Sequence, residues 1–146
     1  MAYENPEGRR VNVLAAVVPE GPDRALTWER HRGSITAAQF LAFVDAIPHE
    51  PGRPLVVVLD NGSIHVSRLV REARAGLWQQ GIFLYYLPPY SPELNRIEPV
   101  FKVIKHYDLP ERRYTSWTGL EDAIDAAFAR YHHRLTKPAH QSGKAA

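Results

Sequence analysis

Cysteine is missing from this sequence altogether. Its absence excludes a disulfide framework, a thiol nucleophile and any cysteine-ligated zinc site. It fits a reducing compartment, so a cytoplasmic location is expected. Long apolar runs are missing too. No stretch reaches the roughly 18 residues that a membrane span needs, and no basic segment followed by an apolar block marks the N-terminus as a secretion signal. No membrane partner is expected. Charge of one sign is scarce: 18 Lys and Arg stand against 16 Asp and Glu, a formal net charge of +2. A balance that mild permits a nucleic-acid partner without demanding one. Internal repeats are also lacking. What is present is a 45% hydrophobic chain of 146 residues, enough to bury one sizeable core.

Twelve prolines punctuate the apolar segments. Val11 to Val18 reads as a strand, broken by Pro19, Gly21 and Pro22, and Ala25 to Trp28 returns as a second strand of a hairpin. Thr36 and Gln39 have capping-box spacing at the start of a helix, flanked by a hydrophobic staple of Ile35 and Phe40. Phe40, Phe43, Val44 and Ile47 give that helix one apolar face. Leu55 to Leu59 is a continuous aliphatic run, the signature of a strand buried on both faces. Val66, Leu69, Val70, Ala73 and Leu77 then repeat at helical spacing up to Gly81, and Ile82 to Leu87 is another buried strand. Strand, helix and strand in this order form a βαβ unit with a right-handed crossover.

A rigid loop follows from Pro88 to Pro92. Ser91 is placed to cap a helix that begins at Pro92, with Leu94, Ile97, Phe101 and Ile104 on one face. Pro99 should kink this helix just after Glu98. A second capping box, Thr118 to Glu121, opens a last helix with Leu120, Ile124, Phe128 and Tyr131 inward. The pattern implies a polar segment at 1–8, one mixed α/β domain at 9–135, and a polar tail at 136–146 that is expected to be disordered.

Two carboxylates stand out. Asp60 ends an apolar strand, and ligands of open parallel sheets collect at the carboxyl ends of strands. Glu98 borders the buried face of its helix, where a carboxylate costs desolvation unless a cation meets it. Each also has a plainer use. An Asp after a strand is often only a turn former, and a Glu in a first helical turn is often only a dipole partner. His65, His106, His132 and His133 have no compact zinc-ligand spacing and read as surface or hydrogen-bonding side chains.

Two motifs favour the sharper reading. The stretch Leu59-Asp60-Asn61-Gly62-Ser63-Ile64-His65 resembles the strand-end motif L-D-N-x-x-x-H of mariner-like bacterial insertion-sequence transposases. Leu87-Pro88-Pro89-Tyr90-Ser91-Pro92-Glu93-Leu94-Asn95-Arg96-Ile97-Glu98 is similar to that family's second motif, L-P-P-Y-S-P-x-L-N-x-I-E. The resemblance runs from about Arg10 to Tyr131. It implies an RNase H-like fold, a mixed sheet flanked by helices, and the DDE chemistry of DNA transposition and integration: metal-dependent cleavage and transfer of DNA strands. In that family three carboxylates, Asp, Asp and Glu, hold two divalent ions. Asp60 corresponds to the second and Glu98 to the third, as catalytic and metal-binding residues. Oxygen-only ligands suit Mg²⁺ or Mn²⁺, and two such ions assist in-line displacement at phosphorus. Asn61, His65 and Asn95 match motif positions with supporting or structural roles. Arg96, Lys102 and Lys105 are candidates to meet phosphates.

The pattern also breaks. The family's first Asp lies on a central strand ahead of a hairpin like Val11 to Trp28. Here only ten residues precede the hairpin, and they hold Glu4 and Glu7 but no aspartate. The expectation is therefore a truncated domain that lacks the first central strand, with a hairpin poorly anchored or unusually paired. The partners implied are DNA, as transposon ends and target, and an upstream transposase segment or a homo-oligomer. The alternative is an inactive remnant that only binds DNA or another subunit.

Overall fold

The computed structural model describes residues 2–4, 10–109 and 114–138. Among these residues five strands and four α-helices follow in order: β1 (Ala2–Glu4), β2 (Arg10–Val18), β3 (Ala25–Arg32), α1 (Ala37–Asp45), β4 (Leu55–Leu59), α2 (Arg68–Gln79), β5 (Ile82–Tyr86), α3 (Ile97–Val103) and α4 (Trp117–Thr136). The strands form two sheets where a single mixed sheet was expected. One is three-stranded in the order β1-β2-β3, and the other holds β4 beside β5. The polar segment ahead of the hairpin contributes to the first: β1 runs antiparallel to β2 with Ala2 opposite Asn12 and Glu4 opposite Arg10.

The hairpin is firmly held, against the expectation of poor anchoring. β2 and β3 pair from Val11 opposite Arg32 to Val18 opposite Ala25. Helix α4 fixes the outer strand. The Trp28 indole donates to Asp125 at 3.2 Å, and the Arg30 guanidinium donates to the same carboxylate at 2.8 Å. Glu121 is buried and accepts from both Arg30 and Arg32. The hydrogen bond to Asp125 and the surrounding carboxylates hold the Arg30 pKa above its ordinary value. Val11, Val13 and Leu26 thereby share one core with Val100, Ile104, Ile124 and Phe128. Burying a side chain of this size contributes about 1.5–3 kcal/mol.

A second core lies between the β4–β5 sheet and helices α1 and α2, with Phe40, Val44, Leu59, Val70, Leu77 and Ile82 in it. The capping box that starts α1 forms in full: Thr36 Oγ1 accepts from Gln39 N at 3.1 Å, and Gln39 Oε1 accepts from Thr36 N at 2.9 Å. Helix α2 ends at Gly81, whose φ of 79° suits a left-handed cap position that glycine fills without a Cβ penalty. Strands β4 and β5 pair in parallel from Leu55 opposite Ile82 to Leu59 opposite Tyr86. They are covered on one face only. Val56 and Val58 are 56% and 47% exposed, and Phe83 and Tyr85 are exposed beside them. The aliphatic run thus marks a half-covered sheet, because α1 and α2 both lie on the same side of it. Val66 and Leu69 are likewise exposed, so the buried stripe of α2 is narrower than the helical spacing suggested.

Three other expectations change. The segment after the proline loop is a short 3-10 turn, Pro92–Leu94, and α3 begins only at Ile97. Pro99 is then the third residue of a helix, where the backbone N–H has no partner within the helix, so it introduces no kink. Beyond Val103 the helix widens into a π-helical stretch, Ile104–Asp108, closed by Leu109 N donating to Ile104 O at 2.8 Å. The buried Asp108 accepts from Arg134 through both oxygens, at 2.7 and 2.6 Å. That pairing raises the Arg134 pKa above its ordinary value. Finally, α4 is capped by Ser116 and not by Thr118: Ser116 Oγ accepts from Gly119 N at 3.0 Å, while Glu121 is committed to the arginines of β3. The helix includes Thr136, one residue into the expected tail. Residues 139–146 of that tail lie outside the described residues, as do 5–9 of the N-terminal segment.

Candidate active site

Asp60 follows directly on Leu59, the last residue of β4. Its Oδ1 accepts from Gly62 N at 2.9 Å and lies 2.9 Å from His65 Nδ1. The strand therefore ends in a tight turn that the carboxylate itself organises. The same His65 nitrogen lies 3.2 Å from the Asp60 carbonyl. The imidazole is held from behind by the ring of Phe40, 4.7 Å away between centroids, and the His65 carbonyl accepts from the Tyr86 hydroxyl. Asn61 reaches the other way. Its Nδ2 donates to the carbonyl of Leu87 at 2.8 Å, which ties the strand end to the start of the proline loop.

That loop carries the chain to the second carboxylate. Asn95 is buried; its N donates to Pro92 O at 3.0 Å, and its carbonyl accepts from Glu98 N at 3.1 Å. Glu98 is thereby set at the second position of α3, where the helix dipole favours a negative charge. It is exposed, not at a buried border, and its carboxylate makes no hydrogen bond or ion pair among the described residues.

Asp60 and Glu98 line one cleft of about 510 Å³, together with Asn61, Leu87, Tyr90 and Asn95. Of the other residues singled out in the sequence, His65 lies behind Asp60 and does not line this cleft. Lys102 stands four residues beyond Glu98 and so on the same side of the helix, exposed to solvent. Lys105 is exposed in the π-helical stretch. Arg96 pairs with Glu20 at 3.2 Å and faces a larger neighbouring cavity. Among the described residues no group of three His, Asp or Glu side chains is placed to hold a metal ion.

One residue was quoted in the motif without being given a role. Tyr90 has a φ of 59°, the one positive φ outside glycine among the described residues, and its ring is fully exposed at the cleft. A bulky residue in that region is strained, and such strain collects at functional sites. The signal in the sequence was an aromatic residue between two prolines in a loop too short to bury it.

The donor set at the cleft includes the carboxylates of Asp60 and Glu98 and the amide oxygens of Asn61 and Asn95, with no nitrogen or sulfur ligand from histidine or cysteine among the described residues. That chemistry fits a hard divalent cation, which commonly binds through one or two carboxylates and completes its shell with water and phosphate oxygens.

Comparison with solved structures gives a chain of the simian T-cell lymphotropic virus intasome in complex with PP2A regulatory subunit B56 gamma. The TM-score is 0.52 at 15% identity, over 85% of this chain and 44% of that one. The likeness places the fold in the RNase H-like α/β class, and the chain spans less than half the length of that relative. No curated protein matches at the level of sequence. The sequence pattern of the DDE superfamily endonucleases matches residues 2–120. The chain belongs to the DDE superfamily endonucleases, a class whose domains typically depend on divalent metal.

Proposed function

We propose that this chain carries the DNA-cleaving and strand-joining site of a mariner-like insertion-sequence transposase, with Asp60 and Glu98 as two of its catalytic carboxylates. The observation that supports this best is their meeting in one cleft although they lie on separate elements, a strand end and a helix start. Mg²⁺ or Mn²⁺ would be held by Asp60 and Glu98, and when bound it supplies Lewis-acid activation of an oxygen nucleophile and neutralises charge at the phosphorus centre.

The protein's own contribution is positional. His65 and Gly62 hold one oxygen of Asp60 and leave the other for a ligand. Asn61 fixes the loop that sets the distance between the strand and α3. Lys102 and Lys105 lie beyond Glu98 on the helix side where a DNA backbone would approach, and Arg96 flanks them. Tyr90 offers an exposed ring on which a base can stack. DNA is the partner on this reading and the cytoplasm its place of action; among the described residues no helix is long and apolar enough to cross a membrane.

Among the described residues two carboxylates border the cleft where the DDE pattern uses three, which supports a second reading for the chain by itself: a domain that binds DNA or another subunit and cuts only when a further carboxylate is supplied. The test is nicking of supercoiled DNA in Mg²⁺ or Mn²⁺ by a version extended upstream with an apolar strand ending in Asp. Cutting that is lost in both Asp60→Ala and Glu98→Ala supports the proposal. Cutting that survives both substitutions overturns it.

A further inference from the structure

The turn that presents Asp60 is held at one residue, His65, from three directions. Two oxygens face its Nδ1, the Asp60 carbonyl at 3.2 Å and Asp60 Oδ1 at 2.9 Å. Both are acceptors, so this nitrogen carries the proton and donates. From β5, the Tyr86 hydroxyl donates to the His65 carbonyl. Tyr86 stands opposite Leu59 in the ladder. It alternates with Leu84 and Ile82 on the covered face of the sheet, so its phenol passes beneath the strand end to reach the turn. From α1, the Phe40 ring packs on the imidazole, 4.7 Å between centroids. Helix α2 holds the tyrosine in turn, with Arg74 Cζ 5.7 Å from the centre of its ring. Gly62 shows how tightly the parts fit. It is not among the glycines with positive φ, so its backbone admits other residues. A Cβ there would lie 3.1 Å from Asp60 Oδ1 and 3.6 Å from His65 Nδ1. The carboxylate and the imidazole occupy the space that a side chain would take.

We propose that Tyr86 is a positioning residue for the metal site: through His65 it locks the Asp60 carboxylate, so that Oδ1 stays bound to the protein and Oδ2 alone is offered to a divalent cation. The inference rests on the reading of Asp60 as a metal ligand. A turn by itself needs only the bond from Gly62 N to Oδ1. The second donor, His65, and the three elements that hold it add nothing to the turn, but they fix the terminal torsion of the aspartate, which is broad when left free. Oδ1 then has two donors, and Oδ2 makes no hydrogen bond among the described residues. A ligand oxygen ordered before the cation arrives loses less freedom on binding. Groups that stand behind a metal ligand in this way commonly carry about 10–100-fold of the affinity. Tyr86 reaches the aspartate only through His65, so it positions the ligand and touches neither cation nor substrate.

Two measurements on the full chain test this. Mn²⁺ is titrated in and followed by electron paramagnetic resonance, and the His65 ring is observed by nitrogen NMR without metal. Tyr86→Phe removes one hydroxyl and keeps the ring beside Arg74. It should fold as the parent does by circular dichroism, relax His65 from a single Nδ1–H tautomer toward a mixture, and weaken Mn²⁺ binding about tenfold or more. His65→Asn keeps an N–H donor near the place of Nδ1 and should retain the parent affinity, whereas His65→Leu should lose about tenfold or more. An Nε2–H tautomer in the parent overturns the proposal. So does parent affinity in a folded Tyr86→Phe or in His65→Leu, while Asp60→Asn still abolishes binding. Should Tyr86→Phe fail to fold, the His65 pair decides, and equal losses in both variants overturn the proposal. If Asp60→Asn binds Mn²⁺ as the parent does, or the parent binds none, the reading of Asp60 as a ligand falls and this inference falls with it.

Discussion

The side-chain amide of Asn61 donates to the main-chain carbonyl of Leu87 across 2.8 Å. The two residues are 26 positions apart and stand just after the ends of β4 and β5. This one bond couples the turn that presents Asp60 to the loop that leads to Glu98. The parallel ladder delivers the strands to the same level, with Leu87 N donating to Leu59 O at 2.7 Å; Asn61 then carries the registration one step beyond the sheet.

Removal of that amide should cost stability and loosen the cleft. Asn61→Ala leaves the carbonyl of the buried Leu87 without its side-chain donor, a loss of about 1–2 kcal/mol. Urea unfolding checks the magnitude. Asn61→Asp should be at least as harmful, because a carboxylate faces a carbonyl there; a stability equal to the parent would contradict the role given to this bond.

Glu121 should matter more to the fold than its place on a helix surface suggests. It is buried and takes both Arg30 and Arg32. Glu121→Ala removes the carboxylate shared by both guanidinium groups; Arg30 keeps Asp125, while Arg32 loses its carboxylate partner. Because these arginines are one-third and one-half exposed, solvent recovers part of the loss, and the cost should be about 1–3 kcal/mol. Phe128→Ala, at a fully buried position, should cost more, about 3–5 kcal/mol. Chemical denaturation of both variants orders them.

Much of this architecture was readable from residue patterns, for identifiable reasons. The hairpin, α1 with its capping box, and the βαβ unit are local structures written in local signals: alternation, cap spacing and glycine stops. Asp60 and Glu98 stood out as candidates because each sits at an element boundary within a dense motif. The misreadings involve contacts between distant parts of the chain. Thr118 lost the cap to Ser116 once Glu121 was taken by arginines about 90 positions away. Val56 and Val58 are exposed because both flanking helices chose one side of the sheet, which no aliphatic run can announce. The firm hold on the hairpin came from Asp125 and Glu121 on α4, invisible before the two were packed together.

Tyr90 should trade stability for binding. Its φ of 59° suits glycine, so Tyr90→Gly relieves strain and should leave stability equal or raised by up to about 1 kcal/mol. If the exposed ring stacks on a base, the same change weakens single-stranded DNA binding by about 1–3 kcal/mol. Fluorescence anisotropy with a labelled oligonucleotide, beside a melting curve, separates the effects. Unchanged affinity would leave Tyr90 without a role in DNA contact.

The chain by itself should be inactive, or nearly so, in metal-dependent nicking and strand transfer. The two-ion mechanism holds its ions a few ångströms apart by sharing carboxylates between them, and nearly all of the charge stabilisation at phosphorus depends on that placement. Asp60 and Glu98 border the cleft, and one oxygen of Asp60 is already engaged by Gly62 and His65. Such a set should bind one Mn²⁺ weakly and position a second poorly. Titration of Mn²⁺ followed by electron paramagnetic resonance should therefore give a single weak site, weakened at least tenfold further in Asp60→Asn and in Glu98→Gln. The extended version, with an apolar strand ending in Asp, should bind more tightly, take up a second ion and nick supercoiled DNA. Nicking by the chain as it stands, abolished by Asp60→Ala and by Glu98→Ala, would mean that a third ligand already reaches the cleft. If neither form cuts although the extended form binds two ions, the site lacks more than a ligand, and the reading as a binding remnant gains the ground.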